Sequence, residues 1–264
     1  MPTIQHLLET RFSVRLTGAP LERAWLEERV ELLRRLTLPS VAGQSTDDFT
    51  WLLFCDESTD PEVLAELRAE ERRVPMLRIA ITSSDRPPLA AVRSAVEPDT
   101  EVLITTRLDS DDAIAVDYLE AVHAYADSFH GSRRENLVVN FPQGYRLDTE
   151  RQRLYRARMP NSSFHSLFER PQLSQPKTVM SAGHENLHRR YATYRRLPML
   201  AKDGGGWHAR LHQHYPTHQD ESIVAWLIAV HGGNIVNRIP NTARELPPGS
   251  EPIGFALGNG AFSR

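Results

Sequence analysis

"EVLITTRLDSDDAI", residues 101–114, runs from a β-favouring stretch straight into Asp109, Asp111 and Asp112. Carboxylates that close repel one another, and a fold gathers them only for some return. Two returns are open. Asp111 or Asp112 could cap a helix starting at Ala113 while the others sit in a solvated turn. Alternatively, the group holds a divalent cation, since Mg²⁺ and Mn²⁺ take oxygen ligands and are commonly held by one or two carboxylates plus substrate phosphates. Capping accounts for one aspartate and leaves the rest unexplained, so the cation is the favoured reading. The glycine and distal glutamate of a helix–loop–helix calcium loop are missing.

Working outward, strand-like and helix-like segments alternate. "RFSVR" (11–15) reads as a first strand. Residues 21–44 hold a helix with Leu26, Val30, Leu33 and Leu36 at helical spacing, broken by Pro39. "FTWLLFC" (49–55), "MLRIAIT" (76–82) and the stretch before the aspartates read as strands. Between them lie helices at 60–71, with Asp60 as cap and Pro61 in the first turn, and at 89–96. Ala115, Leu119, Val122, Ala126 and Phe129 extend the pattern as an amphipathic helix over 113–129. This alternation predicts an α/β fold, a mostly parallel central sheet flanked by helices, with ligands at the carboxyl ends of its strands. The aspartates stand at such an end.

Further on, 136–148 and 152–159 read as paired strands. "DESIVAWLIAVHGG" (220–233) reads as a helix, with Ile223, Trp226, Leu227 and Val230 on one face and glycines closing it. The tail from Leu246 reads as irregular. No repeat or linker interrupts the chain, so one domain over 1–264 is expected.

Composition narrows the function. With 31 Lys+Arg against 34 Asp+Glu, the chain offers no basic surface for nucleic acid. Cys55 is alone in an apolar run, which excludes an internal disulfide and a multi-cysteine zinc site. No run reaches the ~18 apolar residues of a membrane span, and the first residues lack a secretory pattern. A cytoplasmic protein is expected, with peripheral membrane attachment left open. GxxxxGK[ST], a GxGxxG opening a helix and GxSxG are all missing, which removes P-loop, dinucleotide-binding and α/β-hydrolase readings.

"TRLDSDDAI" resembles the metal-binding Asp-x-Asp motif of GT-A glycosyltransferases. "LPSVAGQSTDDFTWLLFCDEST" (38–59) resembles the segment by which those enzymes enter a nucleotide-binding strand. "NFPQGYRLD", "FHSLFE" and "WLIAVHGGNIVNR" (226–238) are similar to the bacterial rhamnosyltransferase family, and the likeness runs roughly from Arg11 to Arg238. It implies a GT-A fold, with a nucleotide-sugar-binding half over about 1–130 and an acceptor-side half over about 131–245, followed by the tail. It also implies transfer of a sugar, rhamnose from dTDP-rhamnose, to a carbohydrate or other hydroxyl acceptor with inversion. In that scheme Asp109, Asp111 and His231 bind Mn²⁺ or Mg²⁺, and Asp112 orients the sugar or adjoins the metal. Arg107 assists phosphate or sugar, Asp56 contacts base or ribose, and Asn234 and Arg238 contact phosphate or acceptor.

Inversion needs a base. Asp220 is the first choice, then Glu221, with Glu185 beside His184 as the rival. Each residue also has a plainer explanation. His231 suits a helix C-terminus by its dipole, Asp220 and Glu221 suit a first helical turn, and Asp56 suits a turn. His208, His212, His214 and His218 lack a zinc pattern and read as an acceptor-side loop behind the glycines of 203–206. Two other classes stay open: a metal-dependent phosphohydrolase, and a non-catalytic nucleotide-sugar or glycan-binding module.

Overall fold

The computed structural model describes residues 2–14, 21–83, 88–160, 162–181, 217–232, 238–259 and 261. Its first strand, β1 (Ile4–Arg11), lies before the stretch expected at 11–15. The strand escapes notice because it buries polar His6 and Glu9 beside Leu7 and Leu8, which hides the alternation.

The helix that follows is not broken at Pro39. α1 (Arg23–Leu32) passes through a π turn (Leu33–Thr37) into α2 (Leu38–Ala42). Proline has no N–H for the carbonyl four residues back, and the wider π turn absorbs the mismatch. The carbonyl thus released, on Arg35, accepts from the Gly258 N–H at 2.9 Å. A Cβ on Gly258 would stand 3.2 Å from that oxygen. The tail is therefore irregular, as expected, yet tightly seated: Ala261 is buried and Phe255 meets the Tyr145 ring edge-on at 5.9 Å.

β2 (Thr50–Asp56), α3 (Pro61–Arg73), β3 (Leu77–Thr82), α4 (Leu89–Ala95) and β4 (Val102–Arg107) stand where the sequence places them. Asp60 caps α3 by accepting from the N–H groups of Glu62 at 2.9 Å and Val63 at 3.4 Å. With β6 (Asn136–Asn140), β9 (Ser166–Glu169) and β10 (Thr217–Gln219) they form a sheet in the order β10-β6-β9-β4-β1-β2-β3. Only β9 opposes its neighbours β4 and β6. The order reverses at β1. α3 accordingly packs Val63 and Leu67 on one face, and α4 packs Val92 on the other, against Leu7, Leu52, Phe54 and Leu103. The expected architecture holds: a mostly parallel sheet with helices on both faces.

The helix expected at 113–129 starts late and comes in two pieces, and the one expected at 220–233 does not form. Ala113 and Ile114 make a short strand, β5 (Ala113–Ile114), and helix resumes only in α5 (Tyr118–His123) and α6 (Ala126–His130). No helix begins behind the aspartates, so none of them is its cap. Likewise "WLIAV" within 220–233 is a strand, β11 (Trp226–Val230). It joins β7 (Gln143–Asp148), β8 (Arg153–Arg158) and β12 (Arg244–Glu245) in a second sheet ordered β12-β8-β7-β11-β5. Trp226 anchors it. The indole donates to the Phe141 carbonyl at 2.8 Å and stacks on Phe164 with centroids 5.7 Å apart. Its ring lies over Gly144, its partner in the register of β7 and β11.

A buried polar chain crosses the first sheet. His6 bonds His123 at 2.9 Å and Thr106 at 2.8 Å, and Thr106 bonds Ser166 at 2.6 Å. Burial, then the charge of His123, holds the His6 pKa well below 6.5. The unfolded chain therefore binds this proton more readily. Stability is full above the unfolded pKa and is lost as pH falls through the folded one. The melting temperature should drop between about pH 7 and about pH 5, and drop less in His6→Gln. An equal drop in both proteins would place the acid sensitivity elsewhere.

Candidate functional site

Following β4, the aspartates stand at the carboxyl end of the sheet beside the point where the strand order switches. Asp111 and Asp112 are 4% and 1% exposed. Each aspartate has its own partner. Asp109 lies against the Arg107 guanidinium, which donates through Nε at 3.2 Å and Nη2 at 3.0 Å. Asp111 Oδ2 accepts from Arg29 Nη1 at 3.1 Å and lies 3.1 Å from His231 Nε2. Arg29 Nη2 also donates to Ser110 Oγ at 2.5 Å. Asp112 turns inward: its Oδ1 accepts from the Ala229 N–H at 3.0 Å, and its carbonyl accepts from Thr37 Oγ1 at 2.8 Å.

The strand that replaced the expected helix explains why His231 is here. β5 and β11 run antiparallel with Leu227 opposite Ala113 and Trp226 opposite Ile114. Continuing that register beyond the strand ends carries 229 past 111 and brings 231 to the aspartates. Thus His231 does not close a helix; it leaves a strand that lies beside the acidic segment.

The local field separates the carboxyls. Burial pushes Asp109 up, but Arg107, Arg11 and Arg29 outweigh it, and its pKa falls below the usual value. Burial, then Asp111 and Asp109, push Asp112 well above the usual value. Arg11 has its own pKa lowered, by burial and then by Arg107. The arrangement is an ionised carboxylate among three guanidinium groups, beside a second carboxyl biased toward its protonated form. Such a place suits an anion and a cation together.

Asp111 and His231 fit a divalent cation by donor chemistry, since an oxygen and an imidazole nitrogen face each other across one short gap. Asp109 is turned onto Arg107. Among the described residues, no three His, Cys, Asp or Glu side chains converge as a complete metal cage. The residues present would therefore supply two ligands, leaving the remaining ones to come from phosphate or water, the usual manner for Mg²⁺ and Mn²⁺.

The remaining candidates divide. Asp56 ends β2 and is buried, accepting from the Ser58 N–H at 2.9 Å and the Ser58 hydroxyl at 2.5 Å, the bonds of a turn residue. Arg238 is exposed, and its carbonyl accepts from Arg146. Asn234, His184, Glu185, His208, His212, His214 and the glycines of 203–206 lie outside the described residues.

Neither Asp220 nor Glu221 begins a helix. Asp220 follows β10 at the carboxyl edge of the first sheet, three strands from β4, or ~14 Å at the usual strand spacing. It accepts from the Tyr125 hydroxyl and from the Ser222 N–H at 2.8 Å. Burial opposes the effect, but these bonds hold its pKa below the usual value. Glu221 is half exposed in an ion pair with Arg158 at 2.6 Å. His218 lies in β10 with its ring 4.8 Å from that of Tyr125.

Arg11, Arg29 and Glu28 belong to the neighbourhood and were not singled out by sequence. Glu28 and Arg29 lie in "LEERVELL", where a charged pair on an amphipathic helix reads as solvated surface. The one available signal is that Arg29 follows Leu26 by three positions, at the edge of the apolar stripe.

A search of the curated proteins found no match. Among solved structures, S. aureus TarS 1–349 in complex with UDP-GlcNAc is 14% identical, with a TM-score of 0.48 over 87% of this chain and 60% of that one. The mannosyltransferase PcManGT from Pyrobaculum calidifontis, in complex with GDP-Man and Mn²⁺, is 13% identical, with a TM-score of 0.45 over 88% and 58%. The chain thus spans about 60% of the TarS structure's length. A family profile described as "Putative rhamnosyl transferase" matches residues 15–199, a span that holds Arg29, Arg107 and the three aspartates and stops short of His231. On that match over more than half its length, the chain belongs to the rhamnosyl transferase family.

Proposed function

We propose that the protein is a metal-dependent GT-A glycosyltransferase that moves rhamnose from dTDP-rhamnose to a hydroxyl acceptor with inversion. Family membership supports the reaction class. The observation that carries the site is the convergence of Asp111 and His231, at 3.1 Å, beside three arginines at the strand-order switch. In this reading Asp111 and His231 hold Mn²⁺ or Mg²⁺. Such an ion supplies Lewis acidity toward the departing diphosphate. Arg107, Arg11 and Arg29 face the same charge and stabilise it as it grows, from positions set before the reaction starts. Asp109 joins the ion only by giving up Arg107, so its first task here is to hold that guanidinium in place.

Asp112, biased toward its neutral form, orients the β11 backbone through Ala229 and with it His231. Asp56 closes the nucleotide side at the end of β2. Arg238 and Asn234 remain assigned to phosphate or acceptor. Of the two candidate bases, Asp220 is the better, because it is ionised and stands on the active edge of the sheet, whereas Glu221 is engaged with Arg158. A base must still lie within reach of the acceptor hydroxyl.

The test is an assay of the purified chain with dTDP-rhamnose and a panel of other nucleotide sugars. With Mn²⁺ it should release nucleoside diphosphate, most rapidly from dTDP-rhamnose, and a chelator should stop the release. Release of inorganic phosphate would indicate a phosphohydrolase. Donor binding by calorimetry without turnover on any acceptor would indicate a binding module.

A further inference from the structure

The helix α1 brings two consecutive residues to the two sides of the candidate metal site. Arg29 reaches Asp111, and Glu28 reaches His231, with Oε1 3.2 Å from Nδ1. The imidazole is buried between two carboxyl groups, its side chain 6% exposed, while Glu28 is 47% exposed at the rim. We infer that Glu28 is a positioning residue for His231: it accepts a hydrogen bond from Nδ1–H and so holds Nε2 toward Asp111.

The chemistry is that of a ring with two unlike nitrogens. A neutral imidazole carries one proton, and a nitrogen that binds a metal cannot be the one bearing it. With Nε2 assigned to the ion, the proton belongs on Nδ1, and that N–H donates a hydrogen bond to the Glu28 carboxylate. A carboxylate in this place fixes both the tautomer and the ring plane. Without it, the ring could turn within its pocket and present Nε2 elsewhere. Arg29 plays a parallel part for Asp111, so one turn of α1 would set both donors. This inference rests on the metal reading proposed above, and it adds a residue that touches neither ion nor substrate.

The experiment is a titration of the full chain with Mn²⁺, alone and with dTDP, following the free-ion paramagnetic resonance signal. Glu28→Ala should weaken Mn²⁺ binding roughly tenfold, the low end for such partners because Glu28 is half exposed. Glu28→Gln loses the same charge but keeps an oxygen that can accept a hydrogen bond from Nδ1–H, and it should stay within about twofold of the unaltered protein. Glu27→Ala, which removes a neighbour paired with Arg23 at 2.9 Å on the exposed face, should bind as before. Equal losses in Glu28→Ala and Glu28→Gln would mean the residue acts only through its charge, which overturns the inference. So would no loss in Glu28→Ala. If the unaltered protein binds no Mn²⁺ in either condition, the metal reading falls and carries this inference with it, a result distinct from the other two.

Discussion

Asp111→Asn is expected to slow nucleoside diphosphate release by at least about 10²-fold, the scale for losing a charge that acts on the leaving group. The substitution keeps the shape of the side chain and an oxygen for Arg29 and His231, which now approach Oδ2 at 3.1 Å each. It removes the buried carboxylate directed at His231, so under the proposed function the ion would lose a ligand while the pocket keeps its form. Thermal melting should therefore shift by no more than about 4 °C, the equivalent of roughly 1 kcal/mol in a chain of this size. Asp112→Asn is the informative companion. Burial already biases that carboxyl toward its neutral form, which asparagine imitates, and its Oδ1 can still accept from Ala229. Its activity should suffer far less. Normal turnover in Asp111→Asn, or the reverse ranking of the two, would remove Asp111 from the proposed metal site.

Gly144→Ala is expected to be the most destabilising single-methyl change in the second sheet. A Cβ there would stand 2.1 Å from the nearest indole carbon of Trp226. The ring has nowhere to go: it is fully buried, parallel to Phe164, and tied to the Phe141 carbonyl. Overpacking of this kind costs about 3 kcal/mol or more, which corresponds to a fall of roughly 6–12 °C in melting temperature. Adding Trp226→Leu, which vacates the space, should recover part of the loss, and the two changes should be strongly non-additive. A melting temperature unchanged by Gly144→Ala would mean that the indole does not cover β7, and the seating of β11 would have to be redrawn. Because β11 leads to His231, the same variant should also weaken the site.

The run from β2 to β4 was legible because its helices and strands obey different periods and its caps are local. Asp60 with Pro61 marks α3 in sequence as clearly as in space, and the apolar run of β2 announces a strand covered on both sides. β11 was misread for a physical reason. It is buried on both faces, Trp226 and Ile228 in the larger core and Leu227 and Ala229 in a second one. A strand of that kind shows no alternation, and a short apolar run then satisfies a helical spacing by coincidence. The segment after the aspartates failed similarly, since Ala113 and Ile114 are strand by pairing with Leu227 and Trp226, which no local pattern reveals.

For the site, local chemistry exposed the aspartates and only family resemblance pointed to His231. Arg29 and Glu28 were beyond reach. A charged pair on a helix carries no mark of what it faces once a strand from the far end of the chain arrives.

That arrival has a thermodynamic consequence. Asp111 and His231 are joined through a closure spanning most of the second half of the chain, and the seam itself is a two-residue pairing of β5 with β11. Opening that seam would dissolve the site while the first sheet stayed intact. Whatever binds there must then favour the closed seam, and occupancy and local order would rise together.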